Sequence, residues 1–187
     1  MNIFIEIYKF IRTHLLKIDD RSQLEIAIEN GLKIGKECHI MGECIIDPGH
    51  CWLIEIGDRV TFAPRVHILA HDASTKRILG YTLIGRVIIG NDVFVGAGSI
   101  ILPNVKIGCR VIIGAGSVVT RDIPDNSVAL GNPAKVIGTF DDYERKRKEQ
   151  FSNTDSIFDE SYTISQIIEA KKEEMREKLS HGVGFVR

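Results

Sequence analysis

The chain has 187 residues, of which 44% are hydrophobic and 26% are charged, a balance typical of a folded globular protein. Lys and Arg number 24 against 25 Asp and Glu, so no excess of positive charge favours non-specific binding to nucleic acid, and no nucleic-acid partner is expected. Four cysteines and no recognisable export signal favour a reducing compartment, and the cytoplasm is the expected location.

The first predicted element is an amphipathic helix over residues 2 to 17, because Ile3, Ile7, Ile11 and Leu15 recur at helical spacing. Charged residues interrupt this segment, so it is predicted to be neither a secretory signal nor a membrane span. Residues 1–27 are assigned to an N-terminal helical cap. Binding to a membrane surface is the alternative, but the polar face is not especially basic, so membrane contact is not expected.

A period of six residues dominates the middle of the chain. Six consecutive blocks from Ile89 have the sequences IGNDVF, VGAGSI, ILPNVK, IGCRVI, IGAGSV and VTRDIP, and each begins with an aliphatic residue. Helices and ordinary strands repeat every 3.6 and 2 residues, so neither explains this pattern. The same spacing occurs earlier in two series, first at Ile28, Ile34, Ile40 and Ile46 and again at Ile56, Phe62 and Ile68.

Such blocks predict a three-sided coil of short parallel strands, in which three blocks complete one circuit. Residues eighteen apart then stack at the strand-pairing distance of about 4.8 Å, so that Ile89 lies on Ile107 and Val95 lies on Ile113. The opening aliphatic residues fill the interior. A sandwich of ordinary strands is the alternative, and six blocks in phase argue against it. Residues 28–138 are assigned to this mainly β domain.

The six-residue register breaks at two places. Asp47-Pro48-Gly49, a strong turn signal, lies in the first break. The second break is longer and contains a loop over residues 71–86, beginning at His71. Insertions in a coil of this kind usually leave as surface loops, often on the binding side.

Residues 139–187 are predicted to form a charged helical tail that packs on the coil or on another subunit. The segment DDYERKRKEQ is a charged, solvated run. Thr163 and Gln166 form a possible capping box for a last helix that ends before Gly182. The apolar face of that helix is formed by Ile164, Ile167, Ile168, Met175 and Leu179.

Together with the repeats, the segments RVHILAHD (Arg65 to Asp72) and GNPAKVIG (Gly131 to Gly138) resemble the hexapeptide-repeat acyltransferase superfamily. The branch that is most similar comprises sugar O-acetyltransferases, such as maltose and galactoside acetyltransferases and enzymes of capsule or lipopolysaccharide clusters. The resemblance covers roughly Ile34 to Gly138. It implies a left-handed parallel β-helix, a homotrimer with active sites between subunits, and acetyl-CoA as co-substrate.

His71 is predicted to be the general base of an acetyl transfer. Moving an acetyl group from a thioester to a hydroxyl requires removal of the hydroxyl proton, and an imidazole suits this task near neutral pH. Direct attack needs no Ser, Cys or Lys nucleophile. Asp72 is predicted either to orient the ring or to hold its loop, although consecutive side chains in an extended segment point apart. A backbone carbonyl could orient the ring equally well.

The resemblance also implies contacts with the donor. Backbone amides near Gly96 and Ala97 are candidates for stabilising the oxyanion. The small residues Ala97 and Ala115 allow close approach of the pantetheine arm. Thr120 and Arg121 match positions near the nucleotide end of the donor, and Lys135 matches a basic residue for its phosphates. For Arg121 and Lys135, a solvated surface charge is the alternative.

The acceptor site is expected near the first register break. Asp47, His50 and Trp52 lie there, and this segment is expected to come near His71 one coil later. Sugar rings often stack on aromatic faces, so Trp52 is a candidate contact, with a core-capping role as the alternative. Tyr81 in the long loop is a further candidate.

No metal site is predicted. Cys38 and Cys44 are six residues apart and therefore belong to different faces of the coil. His67 and His71 resemble the spacing of metal-binding histidines, but no third histidine follows in the later repeats.

The sequence therefore predicts an acetyl-CoA-dependent O-acetyltransferase that acts on a sugar hydroxyl in surface-polysaccharide synthesis. N-acetylation of an amino sugar or its nucleotide conjugate is one alternative. A non-catalytic trimeric scaffold is another.

Overall fold

The computed structural model describes residues 22–187, so the helix predicted over residues 2 to 17 lies outside the described range. Contacts divide the chain into two compact units, of which the first ends at Gly138 and the second comprises Thr139–Arg187. No helix among the described residues is long and apolar enough to cross a bilayer.

Helix α1 (Gln23–Glu29) precedes the coil. The hydroxyl of Ser22 accepts a hydrogen bond from the Glu25 amide, and the Glu25 carboxylate accepts one from the Ser22 amide, which forms a capping box. Ile28 was counted in the six-residue series, but it lies in this helix and is 44% exposed. The coil begins five residues later because the capping box and the helix occupy this stretch.

From Lys33 onward the six-residue blocks form three sheets, in which the strands of successive coils run parallel. They are here named A, B and C in the order in which the chain visits them. Sheet A comprises β1 (Lys33–Ile34), β4 (Ile54–Ile56), β9 (Val87–Ile89) and β12 (Lys106–Ile107). Sheet B comprises β2 (His39–Ile40), β5 (Thr61–Phe62), β10 (Val93–Val95), β13 (Val111–Ile113), β15 (Ser127–Leu130) and β16 (Lys135–Thr139). Sheet C comprises β3 (Ile45–Ile46), β6 (His67–Ile68), β11 (Ile100–Ile101) and β14 (Val118–Val119).

The predicted stacking register is confirmed. Ile89 pairs with Ile107 in sheet A, and Val95 pairs with Ile113 in sheet B. These opening aliphatic residues are at most 2% exposed and form one continuous core. Burying an aliphatic side chain of this size contributes about 1.5–3 kcal/mol, so the inward column of each sheet stabilises the coil.

Three corners connect the sheets, and they are named AB, BC and CA after the sheets that they join. The CA corner contains both register breaks: a 3₁₀ turn at Cys51–Leu53 and the loop that follows Ala70. This loop begins and ends as an antiparallel pair of β7 (His71–Asp72) and β8 (Leu83–Ile84), with the short helix α2 (Lys76–Leu79) between them. His71 therefore lies at the base of the loop, where the chain leaves the coil.

The second unit contains helix α3 (Phe140–Ser152), helix α4 (Glu169–Lys178) and a parallel pair of β17 (Ile157–Phe158) and β18 (Phe185–Val186). The charged run is helical, and the Thr139 hydroxyl caps it by accepting from the Asp142 amide. The predicted capping box at Thr163 and Gln166 is wrong. The Thr163 hydroxyl instead donates to the Glu160 carbonyl, and the last helix starts only at Glu169.

Candidate functional site at the coil corners

Asp47 and His71 form a hydrogen-bonded pair in the CA corner. Asp47 directly follows strand β3, and its amide donates to the Ile68 carbonyl on the next coil, which brings its side chain beneath the start of the loop. Its Oδ2 lies 2.6 Å from Nδ1 of His71. Asp47 is fully buried, whereas the His71 side chain is 34% exposed. One edge of the imidazole is therefore fixed by the coil while the other remains accessible.

Asp47 is held by four hydrogen bonds. Oδ2 also accepts from the Ala70 amide at 2.7 Å, and Oδ1 accepts from the amides of Gly49 and His50 at 2.9 and 3.1 Å. Burial alone raises the pKa of Asp47, but the hydrogen bonds with His71, Ala70 and Gly49 outweigh burial and hold the pKa below its usual value. The group is therefore a carboxylate at neutral pH, and it favours a proton on Nδ1 of His71.

Of the two roles predicted for Asp72, the structure shows the second. Its carboxylate accepts from the Ser74 amide at 2.8 Å and caps the first turn of the loop, and it does not orient the ring. Adjacent side chains in the extended pair β7–β8 point apart, which is why Asp72 faces its own loop. Asp47 was expected to contact the acceptor, but it is fully buried and orients His71 instead.

His50 and Trp52 lie beside His71, as expected for the first register break. The ring centre of His50 is 5.0 Å from that of His71 and 5.3 Å from that of Trp52. Trp52 is 53% exposed, so it does not cap the core. Tyr81 is 79% exposed in the loop, where its carbonyl accepts from the Thr75 hydroxyl.

The AB corner is closed by side chains. In each coil, one side chain accepts a hydrogen bond from the backbone amide of the equivalent residue one coil earlier. The acceptors and donors are Asp58 with Lys36 (2.7 Å), Asn91 with Asp58 (2.8 Å), Cys109 with Asn91 (3.3 Å) and Asp125 with Cys109 (2.7 Å). This series, named here the amide ladder, leaves little free backbone at the AB corner.

The BC corner is open. Ala97 and Ala115 occupy the positions equivalent to Asn91 and Cys109, and neither offers a side-chain acceptor. Within the described part of the chain, their backbone amides donate no hydrogen bond. Both residues are exposed, and beside them Gly98 and Gly116 have a φ of +68° with open space where a Cβ would lie. Two free amides thus face solvent along a surface without side chains.

Gly96 does not match its predicted role. Its amide donates to the Ile113 carbonyl at 2.8 Å, so it is not free for an oxyanion. A Cβ at this position would lie 2.4 Å from the Ala115 nitrogen, so the glycine is required by the close approach of the next coil. Ala97 remains a candidate donor.

Thr120 and Arg121 lie in the CA corner, above His71. They line an open cleft of about 450 Å³ together with Arg86, Asn104 and Lys106. Arg86 is paired with Glu55 at 2.8 Å, whereas Lys106 and Arg121 have no ion-pair partner among residues 22–187. Lys106 was not predicted, although its position in the block ILPNVK already placed it on an outward face.

Lys135 is exposed at the start of β16, directly after the turn at residues 131–134 that follows strand β15 of sheet B. The predicted donor contacts therefore fall into two groups. Thr120 and Arg121 share the CA corner with His71, while Ala97, Ala115 and Lys135 belong to the BC side.

The cysteines do not converge. The thiol of Cys38 donates to the Gly57 carbonyl at the AB corner, and that of Cys44 donates to the Ala63 carbonyl at the BC corner. Asp47, His50 and His71 place ligand atoms within 4.8 Å of one another. Both oxygens of Asp47 are already occupied by hydrogen bonds, so this group is better suited to hold an imidazole than a metal ion.

Comparisons with known proteins agree with this architecture. The model of the bacterial transferase hexapeptide family (six repeats) matches residues 86–121. Protein CapG of Staphylococcus aureus is 41% identical over 148 residues, which cover 76% of this chain and 86% of CapG. A maltose O-acetyltransferase from Clostridium difficile is 41% identical, with a TM-score of 0.53 over 58% of this chain and 59% of that chain.

A hexapeptide-repeat acetyltransferase from Vibrio cholerae, solved in complex with acetyl-CoA, is 27% identical, with a TM-score of 0.53 over 59% of this chain and 61% of that chain. The fold and the repeats define a transferase of the hexapeptide class. The chain belongs to the hexapeptide-repeat acyltransferase superfamily, as its sequence predicts, and both solved relatives are acetyltransferases.

The predicted fold class, a left-handed parallel β-helix, is thereby confirmed, and so is the enzyme class of acetyltransferase. Acetyl-CoA, the predicted co-substrate, is the molecule bound in the solved Vibrio complex. The chain spans about three fifths of the length of the two solved relatives.

Proposed function

We propose that the protein transfers the acetyl group of acetyl-CoA to a sugar hydroxyl, with His71 as general base. The observation that supports this most strongly is the His71–Asp47 pair, in which a buried carboxylate holds a partly exposed imidazole. A sugar acceptor is supported by the likeness to a maltose O-acetyltransferase. A role in surface-polysaccharide synthesis, in the cytoplasm, rests on the sequence resemblance.

In this mechanism His71 moves one proton. Nδ1 of His71 keeps its proton and donates a hydrogen bond to Asp47, so Nε2 has a free lone pair for the acceptor hydroxyl. The hydroxyl oxygen attacks the thioester carbonyl carbon as Nε2 takes its proton, and the carbonyl oxygen becomes an oxyanion. The carbon–sulfur bond then breaks, and the imidazolium returns the proton to the thiolate of CoA. Asp47 stabilises the imidazolium while it is charged.

The free amides of the BC corner suit the donor. Ala97 and Ala115 offer two N–H groups on a surface where nothing prevents close approach, as carbonyl groups of the pantetheine arm or the thioester require. Exposed cations at Arg121 and Lys106 suit the phosphates of the nucleotide end.

The residues of the CA corner and those of the BC corner lie at opposite ends of the strands of sheet C. About five residues of extended chain separate the two corners, which corresponds to roughly 15 Å. They cannot surround one thioester within a single chain. We therefore place the active site in a groove between the CA corner of one subunit and the BC corner of the next. Three copies close such a ring with identical contacts, in agreement with the homotrimer that the resemblance implies.

The test is an assay of the purified protein with acetyl-CoA, a thiol reagent and a panel of saccharides that includes amino sugars. Transfer to hydroxyl sugars is expected. His71→Ala should lower turnover by about 10²–10⁴-fold, the usual contribution of a general base, while acetyl-CoA still raises the melting temperature. His39→Ala, an exposed imidazole on sheet B, is the matched control and should change neither quantity.

Unchanged turnover in His71→Ala would remove His71 from the mechanism. Transfer to amino sugars alone would instead favour N-acetylation. No transfer and no thermal shift with acetyl-CoA would leave a non-catalytic scaffold.

The shared groove has its own test. His71→Ala removes the base from one side, and Ala115→Arg fills the other side, so each variant alone should be inactive. When equal amounts of the two are denatured and refolded together, about a quarter of the grooves over all reassembled trimers combine two intact sides. Recovery of about a quarter of the wild-type activity is expected, and no recovery would place the whole site within one chain.

A further inference from the structure

His50 has a buried nitrogen that no group satisfies. Nδ1 is enclosed by protein and has no hydrogen-bond partner among the described residues. Oδ1 of Asp47 lies 4.0 Å from this nitrogen, beyond hydrogen-bond distance, and already accepts two backbone amides. The side chain as a whole is 29% exposed, so its accessible edge is the one that contains Nε2. No hydrogen bond within residues 22–187 occupies that atom.

The carboxylate of Asp47 faces both imidazoles. Its negative charge favours the tautomer with hydrogen on Nδ1 in His50, as it does in His71. Each ring then has a free lone pair on Nε2 at its accessible edge. The two ring centres are 5.0 Å apart, and Trp52 continues the surface on the far side of His50. The site thus offers two neighbouring nitrogen atoms that can accept hydrogen bonds from hydroxyl groups, and the aromatic face of Trp52.

We propose that His50 binds a second hydroxyl of the acceptor, on the carbon next to the one that is acetylated. This inference rests on the proposed function. The acceptor is then a vicinal diol on a sugar ring, of which one hydroxyl loses its proton to His71 while the other donates a hydrogen bond to Nε2 of His50. The exposed face of Trp52 packs on the C–H face of the ring. An isolated alcohol would leave the second imidazole unpaired.

Acceptor analogues test the diol without any mutation. The best saccharide of the panel is compared with two analogues in which the hydroxyl next to the acetylated position is replaced by hydrogen or by a methyl ether. A hydrogen bond between neutral groups contributes a factor of about two to ten, so kcat/KM for the wild type should fall by up to tenfold with both analogues. Equal kcat/KM for the three acceptors would overturn the proposal.

His50→Phe tests the residue itself. Because Nδ1 of His50 has no partner, phenylalanine keeps the ring between Trp52 and His71 without loss of an internal hydrogen bond. The ratio of kcat/KM for the diol to that for the deoxy analogue should approach one. In the control His67→Phe, on the outward face of sheet C, the ratio should equal that of the wild type.

The two proposals fail in different ways. A His50→Phe variant that keeps the wild-type ratio overturns the role of His50 while acetyl transfer by His71 stands. If no saccharide is acetylated at all, the proposed function fails first and this inference falls with it. If His50→Phe does not fold, the comparison of acceptors with the wild-type enzyme decides the matter alone.

Discussion

The AB and BC corners of the coil have the same backbone conformation, but side chains cover them to different extents. At the AB corner, Asp92 and Arg110 have φ angles of 57° and 55°, and at the BC corner Gly98 and Gly116 have a φ of 68°. The AB corner is covered by side chains, including Arg59, which donates two hydrogen bonds to Asp92 at 2.7 and 2.8 Å. The BC corner is bare in the third and fourth coils, at Ala97 and Ala115, whereas in the first two coils it carries the ion pair of Arg65 with Glu43. The backbone repeat therefore determines the shape of both corners, and side chains determine which of them remains open to a ligand.

The difference depends on one position in each block. At the AB corner the residue in this position is Asp, Asn or Cys, and its side chain accepts a hydrogen bond from the amide of the equivalent residue on the previous coil. At the BC corner Ala115 offers no such acceptor, so the amide of Ala97 on the previous coil stays free. The binding surface of the BC corner thus arises because the side chain that covers the backbone elsewhere is absent there. Four substitutions, one in the core and one at each corner, test this comparison.

The largest effect is expected in the core that both corners share. Ile107 is fully buried between Ile89 and Ile123, so Ile107→Ala should lower the free energy of unfolding by about 2–5 kcal/mol. Chemical denaturation measures this loss. Ile78→Ala is the control, because Ile78 is 82% exposed, and its effect should stay within about 0.5 kcal/mol. Equal effects of the two substitutions would contradict the assigned core.

At the CA corner, Asp47 is a buried side-chain acceptor of backbone hydrogen bonds, and its removal can be compared with that of the side chains at the AB corner. Asp47→Asn should destabilise the protein by roughly 2–3 kcal/mol at neutral pH, because a charged acceptor of four hydrogen bonds is lost. The pKa of Asp47 is lowered on folding, so its contribution is complete above the unfolded value of about 3.9 and is lost as the pH falls through the folded value.

Denaturation of wild type and Asp47→Asn between pH 7 and pH 2 measures this dependence. The two stability curves should converge in acid. A constant difference across the whole range would show that the carboxylate charge of Asp47 does not contribute.

Closing the open corner should weaken donor binding. Ala115→Asn places at the BC corner the kind of acceptor that Asn91 supplies at the AB corner, so its side chain should accept the Ala97 amide and cover the surface. The KM for acetyl-CoA should rise about tenfold, as expected for the loss of one or two hydrogen bonds. Cys109→Asn at the matched AB position should leave this KM unchanged, and an equal rise in both variants would contradict the assignment of the BC corner.

The smallest effect is expected at the exposed ion pair of the AB corner. Arg59→Gln removes the pair with Asp92, whose side chains are 49% and 42% exposed. Solvent and salt screen such a pair, so the melting temperature should fall slightly in low salt and not at all in high salt. Scanning calorimetry at two salt concentrations measures the change. A large fall of the melting temperature in high salt would contradict this expectation and would mean that the Arg59–Asp92 pair contributes to the stability of the coil.

Much of the fold could be predicted because the repeat is local. The six-residue period identifies the inward residues directly, and Ile89 pairs with Ile107 as expected. The prediction of a capping box at Thr163 was wrong because it rested on only two residues. The Thr163 hydroxyl instead donates a hydrogen bond to the Glu160 carbonyl. A long series of weak signals is therefore more informative here than one local motif.

The site was only partly predictable. The register breaks predict that His71 lies near His50. For the group that orients the ring, however, the candidates from the sequence were Asp72 or a backbone carbonyl and not Asp47, which is 24 residues away. Aligning Ile46 with Ile68 shows that Asp47 lies one coil below the start of the loop, so this pairing was accessible from the sequence. Ala97 and Ala115 were predicted as donor contacts from the resemblance, but that their amides are free could not be predicted, because it depends on hydrogen bonds between coils.

The attachment of His71 has a consequence for how this scaffold can acquire new acceptors. His71 pairs with Ile84 at the neck of the loop, and its ring is anchored to Asp47 in the coil. The ten residues from Ala73 to Thr82 beyond that neck contribute nothing to this anchor. The tip can be lengthened, shortened or exchanged while the imidazole keeps its place, so recognition and chemistry can diverge independently in a single polypeptide.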